Sequence, residues 1–222
     1  MLAVFDTETT GIAPDTTRIV SAYVGVLGAD GSVTEGQEWL INPGIEIPAQ
    51  ATAVHGITTE FAQANGIDAA DGVSQIVDVL NGFFATGIPV VAYNAAYDFT
   101  ILDREAVRYG ISPLNQPKPI VDPLIIDKAV DRYRKGKRTL EVASQTYGVE
   151  LSDAHNASAD AIAAGRLAQA IAEKFASELS CTAPELHDRQ IQWAADQAAS
   201  YAEWRRGQGL PVYADSGSWP VR

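Results

Sequence analysis

Residues 2–11 read LAVFDTETTG, a short apolar run that ends in two carboxylates, Asp6 and Glu8. An apolar run of this length, bounded by polar residues, is typical of a core strand. Because alternate residues of a strand face the same side, Asp6 and Glu8 are predicted to point at one spot. Like charges so close together raise each other's pKa and cost free energy unless a cation lies between them. A single such pair is more often an acidic loop, so the remaining sequence decides between these two interpretations.

The length of 222 residues is typical of one domain with an extension, or of two small domains. An apolar fraction of 46% and a charged fraction of 20% indicate a folded globular chain. The single cysteine, Cys181, excludes an intramolecular disulfide and a cysteine-built zinc site, and suits a reducing compartment. The sequence shows no secretory signal pattern and no apolar run approaching the ~20 residues of a membrane span. We therefore expect a soluble, cytoplasmic protein without a membrane partner.

The net charge of −12 argues against a protein that coats duplex DNA, since such proteins neutralise phosphates with Lys and Arg. It leaves open an enzyme that holds one strand end through metal ions and a local basic surface. Residues 128–138, which we call the basic segment, contain six of the sixteen basic residues. These are Lys128, Arg132, Arg134, Lys135, Lys137 and Arg138. The segment is either a solvated loop or a surface that contacts upstream phosphates.

The pattern of the first half of the chain predicts three antiparallel strands between residue 1 and about residue 41. An Asp-Gly turn at residues 30–31 separates the second and third strands. Residues 42–58 are rich in turn formers and predict an extended loop with at most a short helical turn. Helical spacing of apolar residues then predicts a helix over 69–86, followed by a fourth strand at 88–93.

The second half alternates predicted helices with one short strand. Helices are expected over 95–110, about 123–133, 139–147 and about 155–178, with a strand at 120–121. Strands that are first antiparallel and later alternate with helices indicate an α/β domain with a mixed sheet covered by helices. We assign this domain to residues 1–178. Residues 179–222 form a C-terminal helical extension packed on the domain or on a partner.

The extension is predicted to contain one long helix over residues 183–206, begun by an early proline. Its apolar positions fall on two faces about 200° apart, at ~100° per residue. One stripe consists of Ile191, Ala195, Ala198 and Ala202, and the other contains Trp193 and Trp204. A helix that is apolar on two faces must be covered on both, either by the folded-back tail or by a second chain. His187, on the same helix, is expected on the helix surface.

Two further carboxylates are predicted to approach Asp6 and Glu8. Asp98 lies in the first turn of the helix after the fourth strand, and Asp160 lies early in the helix that follows His155. Strand ends and helix N-termini of such domains meet around one crevice, where ligands bind. Four carboxylates in one crevice require cations, and two-metal phosphoryl transfer uses ions ~3.5–4 Å apart. Oxygen ligands favour Mg²⁺ or Mn²⁺ over zinc.

Four sequence blocks carry a family resemblance: FDTETTG at 5–11, AVHGIT at 53–58, YNAAYDFTIL at 93–102 and HNASAD at 155–160. With these blocks in order and at similar spacing, the chain resembles the DEDDh group of 3′-to-5′ exonucleases, typified by the proofreading epsilon subunit of bacterial DNA polymerase III. The resemblance implies a ribonuclease H-like fold, with a mixed five-stranded sheet flanked by helices.

The resemblance also implies the role of each charged motif residue. Asp6 and Glu8 would form the first pair of metal ligands, and Asp98 and Asp160 would complete the set that holds two divalent ions, Mg²⁺ or Mn²⁺. His155 would be the general base that takes a proton from the attacking water. An imidazole suits this role because its ordinary pKa of ~6.5 leaves it neutral at physiological pH.

The terminal nucleotide is expected to contact a second set of residues. The resemblance implies that Thr7, Thr9, Thr10 and the backbone around them hold this nucleotide. His55 and Asn94 would line or support the same pocket. For both residues a purely structural role, bracing the loop or completing the strand end, stays open at this point.

These expectations predict a metal-dependent 3′-to-5′ exonuclease that releases nucleoside 5′-monophosphates from single-stranded or unpaired 3′ ends of DNA. One alternative keeps the fold and changes the substrate to RNA or short oligonucleotides, which differ at the 2′-OH. The motif ETTG at residues 8–11 resembles DNA-directed members of the family more closely than the oligoribonucleases. Another alternative is a polymerase-associated subunit that acts mainly through its C-terminal extension. Docking to a polymerase, or self-association, would then involve residues 183–222.

Overall fold

A computed structural model describes residues 1–151, 154–212 and 218–222. Its strands are β1 (Leu2–Thr9), β2 (Ile19–Leu27), β3 (Val33–Asn42), β4 (Ile67–Asp68), β5 (Val90–Val91) and β6 (Ile120–Val121). Its helices are α1 (Ala49–His55), α2 (Thr59–Asn65), α3 (Ala69–Ala85), α4 (Ala95–Arg108), α5 (Pro123–Val130), α6 (Leu140–Tyr147), α7 (Ala157–Lys174) and α8 (Ala183–Gly207). Within these segments, no helix combines the length and apolar character of a membrane span.

The strands form one mixed sheet in the order β4-β3-β2-β1-β5-β6. β1, β2 and β3 pair antiparallel, whereas β1, β5 and β6 run parallel. The predicted mixed α/β sheet is therefore confirmed. The sheet has six strands instead of five, because the two residues of β4 pair with the end of β3. A strand of two residues is too short to produce a periodicity that a sequence pattern can reveal.

Two apolar clusters cover the two faces of the sheet. On one face, side chains of α3 and α4 pack against β1, β2 and β5, with Phe5 and Phe99 in edge-to-face contact. On the other face, α5, α6 and α7 pack against the same strands. Gly165 lets α7 approach closely, since a Cβ atom there would lie 2.5 Å from Val4 and from Leu27. The first turn of α7 is thereby fixed next to β1.

The loop predicted at 42–58 is wrong, because this segment contains α1 and leads directly into α2. Of the turn-forming residues in this segment, Pro48 and Gly56 flank α1, whereas Pro43 and Gly44 lie in the loop before it. Gly56 ends α1 in the left-handed conformation, with φ 77°, and Thr58 accepts a hydrogen bond from the Phe61 N–H at the start of α2. Glycine and threonine are favoured at such C-terminal and N-terminal helix positions. The strand predicted at 88–93 is β5, which is shorter than predicted, at Val90–Val91.

Helix α8 covers the exposed edge of β6 with polar side chains. The Ile120 N–H donates to Nδ1 of His187 over 3.0 Å, and the Asp122 N–H donates to Oε1 of Gln190 over 2.7 Å. Nε2 of Gln190 donates in turn to the Ile120 carbonyl. An uncovered edge strand presents unpaired backbone groups, and these two side chains satisfy them. The expectation that His187 lies on the surface is wrong, because its ring is buried.

The predicted apolar stripe of α8 is also wrong, since Ile191 is 43% exposed and Ala195 faces solvent. The buried residues of α8 are His187, Gln190 and Ala194, and because two of these three are polar, apolar periodicity does not locate this face. Trp219, near the chain end, lies on the other side of the His187 ring, with ring centroids 4.9 Å apart. Trp193 is partly buried, whereas Trp204 is 54% exposed. The division of the chain at residue 178 stays a prediction.

Candidate active site

Three carboxylates from two elements meet at the end of β1. Asp6 and Glu8 lie on the same face of β1, and Asp160 lies in the first turn of α7. One carboxylate oxygen from each of these residues lies within 4.8 Å of the other two. The alternation of a strand and the close packing of α7 on that strand produce this cluster.

Asp98 approaches the same place from α4, where it is buried. Its Oδ1 accepts hydrogen bonds from the backbone N–H of Thr7 over 3.1 Å and from the Thr7 hydroxyl over 2.7 Å. These contacts hold the start of α4 against β1. They lie on the part of β1 that extends past the residues paired with β5. The hydroxyl of Thr7 thus positions Asp98, and the predicted contact of Thr7 with the substrate stays a prediction.

Each carboxylate raises the free energy of ionising its neighbours. Burial is the largest cause that raises the pKa of Asp6, and the charges of Asp98, Glu8 and Asp160 add to it. Burial, followed by the charges of Asp160 and Asp98, raises the pKa of Glu8 to about 8. Burial raises the pKa of Asp98 to about 7 and that of Asp160 above its ordinary value. Such a cluster is electrostatically unfavourable by itself and favours a cation.

The residues fit a divalent cation. Oδ1 of Asp160 is buried and has no hydrogen-bond partner among the described residues. A buried carboxylate oxygen without a donor is costly, and a metal ion relieves that cost. The oxygen-only donor set of Asp6, Glu8 and Asp160 suits Mg²⁺ or Mn²⁺.

We expect the thermal stability of the metal-free protein to fall as pH rises from about 4.5 to 8. Glu8 has an ordinary pKa of 4.5 and a folded value of about 8, so the folded state binds more protons across this window. Stability is thus greatest below the unfolded pKa and is lost as pH rises through the folded pKa. Mg²⁺ at 100 times its Kd should then raise Tm at pH 8 by about 5–10 °C. Thermal melts with Mg²⁺ or EDTA at several pH values measure this difference.

The Glu8→Gln variant provides the control for this experiment, because it removes a titrating group of the cluster at nearly constant volume. Its metal-free Tm should depend less on pH, and Mg²⁺ should stabilise it less. Equal Mg²⁺ stabilisation of wild type and Glu8→Gln at every pH would show that Glu8 is no part of the cation site.

His155 lies beside the cluster, with its ring turned away from it. Its backbone N–H donates to Oδ2 of Asp160 over 3.2 Å, and its φ of 71° is left-handed. The ring is exposed, and Nε2 lies 3.7 Å from Oε1 of Glu141 on α6. A general-base role requires the ring to turn from Glu141 towards the carboxylates.

A cavity of about 410 Å³ adjoins Glu8 and is lined by four of the predicted substrate contacts, Thr7, Thr9, Thr10 and His55. Pockets of this size hold small ligands. The His55 Nδ1 accepts a hydrogen bond from the Ile57 N–H, which leaves Nε2 as the protonated nitrogen of the neutral ring. Burial lowers the pKa of His55 and favours that neutral form.

The apolar walls of this cavity come from residues that the motifs did not assign. Ile12 is 87% exposed and Val54 is 52% exposed, and both line the cavity. Tyr97 also lines it, and its hydroxyl donates to the Gly11 carbonyl while bonding the Thr9 hydroxyl. Tyr97 thereby connects the loop after β1 to α4. The sequence offered one signal for this role of Tyr97, since it directly precedes Asp98 in the first turn of α4.

Asn94 lies elsewhere. It is exposed, has a φ of 61°, and borders a different cavity together with Asp122 and Lys128. Its backbone N–H donates to Oδ1 of Asp122. The structure therefore does not bring Asn94 into the cavity that contains Thr9 and His55.

The basic segment is only partly available to a ligand. The buried carboxylate of Asp127 binds Arg134, and it binds Nη1 of Arg138 over 2.7 Å. These two arginines therefore stabilise the conformation of the segment through Asp127. Arg132, Lys135 and Lys137 are exposed and form no ion pair with any described residue.

Solved structures share this architecture. E. coli exonuclease I in complex with a dT13 oligonucleotide matches with a TM-score of 0.67 and 19% identity, over 81% of this chain and 42% of that chain. The zinc-bound form of the E. coli exonuclease I–ssDNA complex matches with a TM-score of 0.70 and 20% identity, over 88% of this chain and 44% of that chain. At such identities the likeness shows the fold, and the predicted ribonuclease H-like fold is confirmed.

Sequence comparisons also find relatives of this chain. DNA polymerase III PolC-type of Lacticaseibacillus paracasei is 30% identical over 84% of this chain, and the DNA polymerase III subunit epsilon-like protein of Rhodobacter capsulatus is 30% identical over 72%. The matches span only 12% and 22% of these two relatives. The family model described as RNase_T exonuclease matches residues 3–168. The chain therefore belongs to the RNase_T family of exonucleases.

Proposed function

We propose that this chain is a metal-dependent 3′-to-5′ exonuclease that releases nucleoside 5′-monophosphates from single-stranded or unpaired 3′ ends of DNA. The observation that carries the proposal is the meeting of Asp6, Glu8 and Asp160 beside a nucleotide-sized cavity. Carboxylates whose pKa values are raised by burial and by each other are a frequent mark of a catalytic site. Family membership supplies the reaction class.

The side chains divide the work between holding cations and holding the strand end. Asp6, Glu8 and Asp160 would hold the metal ions, with Asp98 kept beside them by Thr7. Two divalent ions at such a site supply a reactive water and stabilise the charge of the leaving 3′ oxygen. They also neutralise the acidic crevice, which allows a chain of net charge −12 to accept an anionic strand.

The cavity beside Glu8 would position the terminal nucleotide. Ile12 and Val54 offer apolar surface to the base, and the Thr9 and Thr10 region offers polar groups to the sugar. The His55 ring would donate from Nε2. His155, once turned towards the carboxylates, would accept the proton of the attacking water. Its place next to Asp160 supports this role.

DNA is the proposed substrate for two reasons. The phrase ETTG at residues 8–11 resembles DNA-directed family members, and the exonuclease I of the structural comparison was crystallised with single-stranded DNA. RNA of the same sequence serves as the comparison substrate, because it differs at the 2′-OH. Faster degradation of the RNA would assign the site to the exoribonuclease alternative.

Digestion of a 5′-labelled single-stranded DNA oligonucleotide tests the proposal. With Mg²⁺ or Mn²⁺ we expect a ladder that shortens from the 3′ end, and with EDTA we expect none. The His155→Ala variant should be slower by about 10²–10⁴-fold, the usual contribution of a general base. Gln145→Ala, an exposed change on the nearby α6, should cut at the wild-type rate. A folded, metal-supplied protein that leaves both DNA and RNA uncut would overturn the proposal.

A further inference from the structure

We infer that a groove between α5 and α8 binds the upstream part of a single-stranded nucleic acid whose 3′ end lies at the carboxylates. The inference rests on the proposed function and extends it to a second contact surface. The groove, called here the α5–α8 groove, has a volume of about 800 Å³. Its lining includes Lys128 and Arg132 on one side and Trp193, Tyr201 and Trp204 on the other.

Exposed aromatic rings make this groove suitable for bases. The rings of Tyr201 and Trp204 are stacked, with centroids 5.8 Å apart and planes 16° apart. Tyr201 is 56% exposed and Trp204 is 54% exposed. Burial in a core therefore does not explain their size. Flat rings that face a groove are the platforms on which single-stranded bases stack, and stacking tolerates any base.

The charges of the groove suit a phosphate backbone. Lys128 and Arg132 line it, and Lys135 and Lys137 lie a few residues further along the basic segment. Among the described residues, Asp196 is the one acidic side chain that lines the groove, and it accepts a hydrogen bond from Gln192. In a chain of net charge −12, cations concentrated beside exposed rings favour a polyanion with flat bases over a protein partner.

The groove leads towards the candidate active site. A smaller cavity adjoins it, since Lys128, Gln197 and Tyr201 line both, and this second cavity reaches Asn94. Asn94 directly precedes α4, the helix that carries Asp98. β6, which leads into α5, lies two strands from β1, or about 10 Å. A strand held at the carboxylates can therefore continue past Asn94 into the α5–α8 groove.

Oligonucleotide binding in EDTA tests the groove separately from the metal site. The probes are fluorescein-labelled dT15 and dT3, and the measurement is fluorescence anisotropy with the full chain. We expect dT15 to bind more tightly than dT3, and Trp204→Ala to weaken dT15 binding by about 10-fold or more, since each stacked base contributes on that scale. Ile191→Ala is the matched control, because Ile191 is exposed on the same helix and lines neither cavity.

The same variants are then compared in Mg²⁺-dependent digestion of dT15 and dT3. Wild type and Ile191→Ala should show lower KM for dT15, and Trp204→Ala should lose that advantage. Hydrolysis by wild type without any effect of Trp204→Ala on binding or on KM would overturn the groove while leaving the nuclease intact. Binding that depends on Trp204 without hydrolysis would instead overturn the proposed function. If Trp204→Ala changes only the sedimentation of the chain, the surface is a self-association site and the inference is wrong.

Discussion

Replacement of Asp160 by alanine should lower the rate of 3′-end digestion by about 10³-fold or more and leave the fold intact. Electrostatic stabilisation of charge in a reacting site typically contributes on this scale. Asp160 offers a buried oxygen without a hydrogen-bond donor and shares a site with Asp6 and Glu8. The measurement is single-turnover digestion of labelled single-stranded DNA in saturating Mg²⁺.

The same variant should be at least as stable as wild type in the absence of metal at pH 8. Removing the partly buried carboxylate of Asp160 removes a charge that raises the pKa of Glu8, so the free energy of unfolding should not fall. Asp78→Ala, an exposed change in the middle of α3, is the matched control and should affect neither rate nor stability. Folded Asp160→Ala protein that digests DNA at the wild-type rate would show that the site is assigned wrongly.

Replacement of Gln190 by alanine should lower the free energy of unfolding by about 3–5 kcal/mol. Gln190 is fully buried, and its amide bonds the Asp122 N–H and the Ile120 carbonyl at the sheet edge. The variant leaves both backbone groups buried without partners, and each such group typically costs about 1–3 kcal/mol. Urea denaturation of the two proteins measures the difference.

Gln192→Ala is the control, since Gln192 is exposed two residues further along α8 and its side chain bonds, within the part of the chain that the structure describes, only the Asp196 side chain. A surface change of this kind usually lies within about 0.5 kcal/mol. If Gln190→Ala cost no more than Gln192→Ala, α8 would contribute little to the stability of the sheet edge. The loss should also affect the candidate active site. Asp122 accepts hydrogen bonds from the backbone N–H groups of Asn94 and Ala95, and so holds the start of α4.

Sequence patterns located the long elements well. The predicted helix over 69–86 is α3 (Ala69–Ala85), and the predicted strand at 120–121 is β6. The same patterns missed α1, α2 and β4, which are too short for a periodicity. They also misjudged α8, because two of its three buried residues, His187 and Gln190, are polar, and only Ala194 is apolar. A polar side chain is buried where a backbone group needs a partner, and that need depends on an edge strand far away in sequence.

By itself the sequence determined that Asp6 and Glu8 share one face of β1, through their i, i+2 spacing, and its motifs predicted Asp98 and Asp160 as their neighbours. The relation between Asp6 and Glu8 is local, and the alternation of side chains along a strand enforces it. Only the tertiary structure decided that Thr7 holds Asp98 and that the His155 ring faces Glu141. It also decided that Arg134 and Arg138 form ion pairs with Asp127. Those contacts join residues from separate elements, so they exist only after the sheet and its helices have packed.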